Sequence, residues 1–257
     1  MSPSQLARSA LDLLTAPFGV EVVRRARQNW SDTRNFINYE DTISAAKKAG
    51  VPVGDYIDAV MSKTPGATRA TIEGMAKLGV FSQPISTVVE IGPGSGRYLA
   101  STIDACSPSR YEIYETAGPW ATYLVENYNV VLQPTDGRFL KASPDASADL
   151  VQAHKVFSSI PTMPTFVYWS EMARVCRRGG HVVFDLMTEA CLDSPTLQKW
   201  IDIGSSNETY PVQMAYPAAI PRRVAIDYLF SRGFDSVGTF QIAMGSGNTE
   251  VFVFRRR

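Results

Sequence analysis

Three glycines at alternate positions follow a short β-branched run and precede a helical pattern. The run covers residues 88–91, the glycines are Gly92, Gly94 and Gly96, and Arg97 begins the helical pattern. Glycine permits positive φ and lets a ligand approach the backbone closely, and the start of a helix presents unpaired N–H groups. This spacing predicts a strand–turn–helix unit that holds one edge of a small ligand.

An acidic residue, Glu90, lies two positions before the first glycine. Its negative charge would repel a pyrophosphate and attract an ammonium group. The glycine spacing is G-x-G-x-G, whereas dinucleotide-binding proteins use G-x-G-x-x-G with the pyrophosphate on the helix N-terminus. The sequence therefore favours a cationic ligand, and a nicotinamide-dependent oxidoreductase is disfavoured.

Residues 88–99 resemble motif I of class I S-adenosylmethionine-dependent methyltransferases, which reads strand, E/D-x-G-x-G-x-G, helix. The resemblance implies that the three glycines line the methionyl part of S-adenosylmethionine and that Glu90 lies near its amino end. It further implies that Glu115 binds both ribose hydroxyls, and that Asp136, followed by Gly137, lies near the adenine amino group. The alternatives are a surface carboxylate at Glu115 and a simple turn at Asp136.

Two later segments extend this resemblance to about residues 84–257. Residues 149–154 match the motif IV strand, and residues 174–182 resemble the family's R-x-L-K-P-G-G turn, with Cys-Arg-Arg at positions 176–178 in place of Leu-Lys-Pro. The motif IV segment lacks the Asn-Pro-Pro-Tyr type of signature found in many amino-group and DNA-base methylators. Amino groups and DNA bases are therefore disfavoured as methyl acceptors.

One of the two histidines is the candidate general base. His154 ends the predicted fourth strand, at the sheet edge where ligands of open α/β sheets bind. An imidazole with an ordinary pKa of about 6.5 can accept a proton near neutral pH. The alternative is that His154 packs against the cofactor or the acceptor. His181 begins a buried type of strand and is expected to be structural.

Two carboxylates near the end of the predicted fifth strand could act on the acceptor. Asp185 and Glu189 could orient a sugar hydroxyl or ligate Mg²⁺, since hard cations prefer oxygen ligands. The adjacent Asp-Asp pair common in metal-dependent relatives is missing. The need for a divalent metal is left open.

The elements that must position these residues begin near Pro84, where short β-branched runs alternate with helical patterns. Such alternation predicts a parallel sheet with helices on both faces. The predicted strands cover residues 87–91, 111–114, 130–132, 149–153, 181–186, 237–243 and 250–254. A glycine-rich hairpin loop at 245–248 joins the last two. We expect an α/β fold with a seven-stranded, mostly parallel, doubly wound sheet and an antiparallel C-terminal hairpin strand.

Residues 1–83 carry helical periodicity and no chemical motif. One helix in this part is predicted to start with Asp41 as its N-cap and to end at Gly50, and others precede residue 37. We expect residues 1–83 to form a helical cap or lid and residues 84–257 to form the cofactor-binding domain. A homodimer through the N-terminal helices is left open.

The composition excludes several classes of protein. Lys+Arg and Asp+Glu both number 25, so the formal charge is zero, which argues against nucleic acid or an anionic membrane as a partner. Three cysteines without CxxC spacing indicate neither a disulfide framework nor a zinc site. The apolar N-terminal stretch is broken by Asp12, Pro17 and Glu21, so it makes a poor signal peptide, and a cytoplasmic protein is expected.

The predicted function is transfer of a methyl group from S-adenosylmethionine to a hydroxyl of a small acceptor, with a sugar or glycoside favoured. Aromatic residues make up 11% of the chain and suit sugar rings, and residues 111–116 together with the helical preamble are similar to bacterial sugar and polysaccharide O-methyltransferases. Residues 210–223 fall where that family inserts acceptor-recognition elements. A carboxyl- or amine-directed small-molecule methyltransferase and a non-catalytic cofactor-binding scaffold remain as alternatives.

Overall fold

The computed structural model describes residues 37–206, 219–244 and 247–257, apart from the side chains of residues 199–200 and 203–206. The helices predicted before residue 37, residues 210–218 of the predicted acceptor-recognition segment and positions 245–246 of the hairpin loop lie outside the described residues. Within the described ranges, no helix has the length and apolar character needed to cross a membrane.

One seven-stranded sheet forms the centre of the described chain. Its strands are β1 Thr87–Ile91, β2 Arg110–Tyr114, β3 Val131–Leu132, β4 Ala148–Ala153, β5 Cys176–Leu186, β6 Phe234–Met244 and β7 Gly247–Arg256. The order across the sheet is β3-β2-β1-β4-β5-β7-β6. Strands β1 to β5 pair in parallel, whereas β7 runs antiparallel to both β5 and β6. The predicted doubly wound sheet with its antiparallel hairpin strand is confirmed.

Strand β5 starts five residues earlier than the sequence predicts. It already pairs at Cys176 with Ala148, and the register with β4 shifts before His181 pairs with Leu150. A bulge of this kind absorbs extra residues without ending the strand. The double glycine is predicted to form the turn before the strand, but it lies inside the bulged strand.

Helices flank the sheet and fill the connections between the strands. They are α1 Tyr39–Ala49, α2 Val53–Tyr56 with a π-helical continuation Ile57–Met61, α3 Ala67–Lys77, α4 Arg97–Cys106, α5 Gly118–Asn127, α6 Thr162–Val175, α7 Ser194–Ser206 and α8 Arg222–Ser231, with a 3₁₀ turn at Glu189–Cys191. The predicted N-cap of α1 was wrong. Asn38 caps that helix, because its side-chain oxygen accepts a hydrogen bond from the backbone N–H of Asp41 at 2.9 Å. Gly50 ends the helix in a left-handed conformation, as predicted.

The two faces of the sheet bury separate apolar clusters. On one face, Val89 and Val151 pack with Trp169 of α6 and Leu229 of α8. On the other face, Val88, Leu150 and Val183 pack against residues of helices α3, α4 and α5, which are Met75, Leu99 and Leu124. Because side chains alternate along a strand, neighbouring residues of β1 contribute to different clusters.

Residues 37–83 make contacts with the sheet and its helices. The indole N–H of Trp120 in α5 donates to the carbonyl oxygen of Ile37 at 2.8 Å. Asp58 pairs with Arg97 of α4, and Met75 and Val80 belong to the same apolar cluster as Val88. The division into a cap over 1–83 and a domain over 84–257 stays a prediction.

Candidate functional site

The strand order reverses between β1 and β4, because β2 and β3 lie on one side of β1 while β5 lies beyond β4. Open α/β sheets bind ligands in the crevice at the carboxyl ends of the strands beside such a reversal. The glycine-rich turn follows β1, and His154 follows β4. The fold therefore brings the two predicted halves of the site to one crevice.

The glycine-rich turn has the conformation that its spacing predicted. Gly92, Gly94 and Gly96 all have positive φ, of 60°, 53° and 78°. A Cβ added at Gly96 would lie 2.5 Å from Cδ2 of Leu124, whereas a Cβ added at Gly94 would meet no atom within 4 Å. Glycine at 96 is thus required by helix packing, while Gly94 borders open space that a ligand can approach.

Glu115 links this turn to the end of β2. Its carboxylate accepts hydrogen bonds from the backbone N–H of Gly94 at 2.8 Å and from that of Ala117 at 2.7 Å. Burial raises the pKa of Glu115, and these two hydrogen bonds act against that increase. The side chain is only half-buried, so the carboxylate is held at the rim of the crevice.

Asp136 lies opposite, after β3, and is exposed. Its carboxylate accepts from the backbone N–H groups of Arg138 and Phe139, both at 3.0 Å, and from the Lys141 ammonium at 3.3 Å. Burial acts to raise the pKa of Asp136, but the hydrogen bonds from Phe139 and Lys141 outweigh it and lower the pKa. This carboxylate therefore stays ionised and organises the turn that contains Gly137.

Glu115 and Asp136 line one groove of about 530 Å³. Thr116, Gln133 and Thr135 complete its polar lining. Cofactor and ligand pockets in proteins occupy roughly 300–1,000 Å³. The two acids predicted from the sequence thus line one groove whose volume lies within that range.

Glu90 makes its contacts inside the protein. Its side chain is 1% exposed, and it accepts hydrogen bonds from the Tyr111 hydroxyl and from the Gln152 amide at 3.2 Å. Burial raises the pKa of Glu90 to about 7, although the hydrogen bonds from Tyr111 and Gln152 act against it. The carboxyl group supports the sheet beneath the turn, and its predicted place near the amino end of a cofactor stays a prediction.

His154 is buried at the end of β4. Its ring stacks on that of Tyr98, with centroids 4.5 Å apart and an interplanar angle of 23°. Burial lowers the pKa of His154 to about 4, which the nearby Asp185 carboxylate only partly offsets. The imidazole is therefore neutral at pH 7, and its Nε2 has no hydrogen-bond partner among the described residues.

Asp185 is held by an adjacent lysine. Its carboxylate accepts from the Lys155 backbone N–H at 2.6 Å and lies 3.2 Å from the Lys155 ammonium, which also donates to the Thr249 hydroxyl. Burial alone would raise the pKa of Asp185, but the Lys155 ammonium and the hydrogen bond from the Lys155 backbone N–H help to outweigh it and lower the pKa. Lys155 has the unusual φ of 59°, a strained conformation of the kind found at functional sites.

Glu189 lies apart from this pair. It is exposed and accepts a hydrogen bond from the Arg222 backbone N–H at 2.9 Å. Within the described ranges, no group of three or more His, Cys, Asp or Glu residues could hold a metal ion. The two carboxylates considered for magnesium thus both have protein partners, and we assign no metal ligand to either.

Sequence reasoning missed two residues of the site. Tyr98 lies in the first turn of α4, two positions after Gly96, and Lys155 directly follows His154. Their positions next to the motifs were the available signal. His181 is buried inside β5 opposite Arg255 of β7, away from the strand ends at the crevice.

Comparison with known proteins rests on structure alone, since no family model and no curated protein matches this sequence. Among similar solved structures is an O-methyltransferase family protein from Burkholderia thailandensis, with 15% identity and a TM-score of 0.57. The match covers 74% of this chain and 56% of that chain, so this chain spans little more than half of that protein.

Two other solved structures match over almost their whole length. A 1,6-didemethyltoxoflavin-N1-methyltransferase of B. thailandensis, bound to 1,6-didemethyltoxoflavin and S-adenosylhomocysteine, has 16% identity and a TM-score of 0.55, with 92% of this chain and 93% of that chain covered. The magnesium protoporphyrin IX methyltransferase of Synechocystis PCC 6803, with bound S-adenosylhomocysteine, has 13% identity and a TM-score of 0.51, with coverages of 99% and 100%. The chain therefore has the fold that these methyltransferases share.

Proposed function

We propose that this protein transfers a methyl group from S-adenosylmethionine to a hydroxyl of a small acceptor, with a sugar or glycoside favoured. The observation that carries the proposal is the neutral imidazole of His154 at the strand-order reversal, across from the glycine-rich turn. Its Nε2 has no hydrogen-bond partner among the described residues. A neutral imidazole nitrogen without a partner can accept the proton of a hydroxyl.

The described residues fit S-adenosylmethionine. The open space at Gly94 suits the methionyl part, and the groove between Glu115 and Asp136 suits the nucleoside. Carboxylate oxygens can accept hydrogen bonds from ribose hydroxyls and from an adenine amino group. When bound, the cofactor supplies an electrophilic methyl group on a sulfonium sulfur.

The chain's own part in the reaction is to orient the acceptor and move one proton. The acceptor hydroxyl gives its proton to Nε2 of His154, and its oxygen forms the new bond to the methyl carbon. With S-adenosylmethionine held in the crevice, methyl transfer to that oxygen would leave a methyl ether, S-adenosylhomocysteine and a protonated His154. Because the pKa of His154 is lowered to about 4, the neutral imidazole is the favoured state after the transfer.

The acceptor class is proposed from the sequence. The similar structures include both an O-methyltransferase family protein and an N1-methyltransferase, so they do not select oxygen over nitrogen. The preference for a sugar comes from the sequence similarity and from the aromatic content of the chain. We also propose that residues 1–83 act as a cap over this site, since Asp58 in that part pairs with Arg97 beside it.

Two measurements test the proposal. Calorimetry with S-adenosylhomocysteine should show binding to the wild-type protein, and an absence of binding would contradict the proposed cofactor. Labelled S-adenosylmethionine is then offered with a panel of phenols, methyl glycosides, primary amines and carboxylic acids, and products are identified by mass spectrometry. Methyl ethers are expected, whereas methyl esters or methylamines as the main products would assign the carboxyl- or amine-directed alternative.

A further inference from the structure

Tyr98 buries a phenol group beside the proposed base. The side chain is 3% exposed, its ring stacks on His154, and its hydroxyl has no hydrogen-bond partner among the described residues. The hydroxyl of Thr71 lies near that of Tyr98 and acts to lower the Tyr98 pKa, but it donates its own proton to the carbonyl oxygen of Ala67 at 2.9 Å. Burying a hydroxyl without a partner costs folding free energy, so such a group calls for an explanation.

The position of Tyr98 is fixed by two elements. It lies in the first turn of α4, directly after the left-handed Gly96 that starts the helix. The guanidinium of the preceding Arg97 lies 4.9 Å from the centroid of the Tyr98 ring and is itself paired with Asp58. A side chain held between a helix start and a buried ion pair is well placed to orient a ligand group.

A second unpartnered polar atom belongs to the same cluster. The Nε2 atom of His154, on the ring stacked against Tyr98, also lacks a partner among the described residues. Asp185 follows the residue of β5 that pairs with Ala153, so it lies beside His154, and its negative charge is matched by the Lys155 ammonium at 3.2 Å. The stacked pair of rings thus carries two buried polar atoms for which the described residues supply no hydrogen bond.

The protonation states define what these two atoms can bind. Burial raises the pKa of Tyr98 to about 12, so the phenol keeps its proton and can donate a hydrogen bond at neutral pH. Burial lowers the pKa of His154 to about 4, so its imidazole can accept one. One donor and one acceptor match a neutral hydroxyl, whose oxygen accepts and whose proton donates. An ionised carboxylate has no proton to donate to the imidazole.

We propose that Tyr98 is an acceptor-binding residue that, together with His154, selects a neutral hydroxyl as the methyl acceptor. Tyr98 donates to the acceptor oxygen while Nε2 of His154 receives its proton. This inference rests on the proposed function and narrows its acceptor class.

The test is Tyr98→Phe, which removes only the phenol oxygen. Tyr228→Phe in α8, packed against the opposite apolar cluster, makes the same deletion away from the site and serves as the control. Each protein is compared for melting temperature, for S-adenosylhomocysteine affinity by calorimetry, and for kcat and KM on the phenol or methyl glycoside that the wild type methylates fastest.

Tyr98→Phe should bind S-adenosylhomocysteine as the wild type does and melt at the same temperature or up to about 4 °C higher, because an unpartnered buried hydroxyl is gone. Its kcat/KM should fall by about 10- to 100-fold, with KM increased, while Tyr228→Phe keeps the wild-type kcat/KM. A drop of several degrees in melting temperature, or a kcat/KM equal to that of wild type, would overturn the inference.

Failure of the inference is distinguishable from failure of the proposed function. A wild-type protein that binds S-adenosylhomocysteine but methylates only amines or carboxylic acids, or no member of the panel, overturns the assignment of a neutral hydroxyl. A wild-type protein that does not bind S-adenosylhomocysteine overturns the proposed function itself.

Discussion

Burial determines the chemistry of the two most important ionisable residues of the site. Burial lowers the pKa of His154 because a charged imidazole would be poorly solvated in its position, and it raises the pKa of Glu90 for the same reason. Titratable groups perturbed in this way are concentrated at functional sites. Both residues flank the crevice at the ends of β1 and β4.

Replacing the proposed base should abolish most turnover. His154→Ala is expected to lower kcat by about 10²- to 10⁴-fold, since general-base catalysis contributes that much, while calorimetry shows unchanged affinity for S-adenosylhomocysteine. His154→Gln, which leaves a smaller void, should lose turnover to a similar extent. The control is His181→Asn in β5, which should keep turnover. Wild-type turnover in His154→Gln would remove this residue from the mechanism.

The buried Glu90 should make stability depend on pH. Its pKa is about 7 in the folded protein against an ordinary value of 4.5, so its contribution is fully present below pH 4.5 and is lost as the pH rises to 7. The loss amounts to about 3 kcal/mol of unfolding free energy. His154 has the opposite effect, because its folded pKa of about 4 lies below the usual 6.5, so its contribution is lost as the pH falls.

The variant Glu90→Gln separates the pH-dependent contribution of Glu90 from that of His154. The variant retains a hydrogen-bonding side chain but cannot ionise, so its stability relative to wild type should increase between pH 4.5 and 7. Urea unfolding at a series of pH values measures this difference. The control is Glu126→Gln, on the exposed surface of α5. Its unfolding free energy should change with pH as that of the wild type does. If the unfolding free energy of Glu90→Gln had the same pH dependence as that of the wild type, Glu90 would ionise freely in the folded protein.

At the scale of elements, the glycine-rich turn serves packing and binding at different positions. Gly96 lets α4 begin against Leu124 of α5, while Gly94 has free space in front of it and donates its N–H to Glu115. Substitutions at the two positions should therefore have different consequences. A substitution at Gly96 should lower the stability of the protein, and a substitution at Gly94 should lower its affinity for the cofactor.

Gly94→Asp should keep the fold and lose the cofactor. Aspartate tolerates the left-handed φ of 53° better than most residues, and its Cβ meets no atom, so we expect a stability loss of only about 1 kcal/mol. Calorimetry should show at least a tenfold lower affinity for S-adenosylhomocysteine, because the side chain occupies the methionyl position and adds negative charge beside Glu115.

The matched control is Gly50→Asp. Gly50 also has positive φ, at 68°, and a Cβ there would likewise meet no atom within 4 Å, but it ends α1. That variant should bind S-adenosylhomocysteine as the wild type does. Equal affinity in Gly94→Asp and Gly50→Asp would contradict the placement of the cofactor at the turn. Gly96→Ala, by contrast, should lose stability through its contact with Leu124.

At the scale of the whole molecule, a buried ion pair joins the helical segment before the sheet to the start of α4. Asp58 and Arg97 have side chains that are 5% and 11% exposed, and Asp58 also accepts from the backbone N–H of Thr68 at 2.9 Å. The pair lies next to Tyr98, so it connects the proposed cap to the proposed acceptor site.

Removing one charge of this pair should be costly. Asp58→Asn leaves the Arg97 guanidinium buried without a counter-charge, and we expect the unfolding free energy to fall by about 3 kcal/mol. Glu73→Gln in α3 is the control, because Glu73 and Arg69 are exposed and 4.0 Å apart, a pair worth about 0.5 kcal/mol or less. Urea unfolding compares the two variants, and equal losses would show that Arg97 reaches solvent.

Much of the fold followed from local patterns in the sequence. Short β-branched runs identified the seven strands because a buried strand needs such residues over its whole length, and the glycine spacing identified the turn after β1 because other residues resist positive φ. The prediction failed where the local pattern was ambiguous. The strand at β5 continues through a bulge at the double glycine, and α1 has its N-cap at Asn38, three residues before the predicted Asp41.

The sequence by itself determined the class of sheet, the glycine-rich turn and the candidate base His154, since each depends on residues close together along the chain. Only the tertiary structure decided the environment of those residues. The stack of Tyr98 on His154, the Lys155–Asp185 pair and the contacts of Glu90 with Tyr111 and Gln152 all join separate segments or depend on which face of a strand a side chain occupies. Strand order and register bring these groups together, and burial then sets their charge.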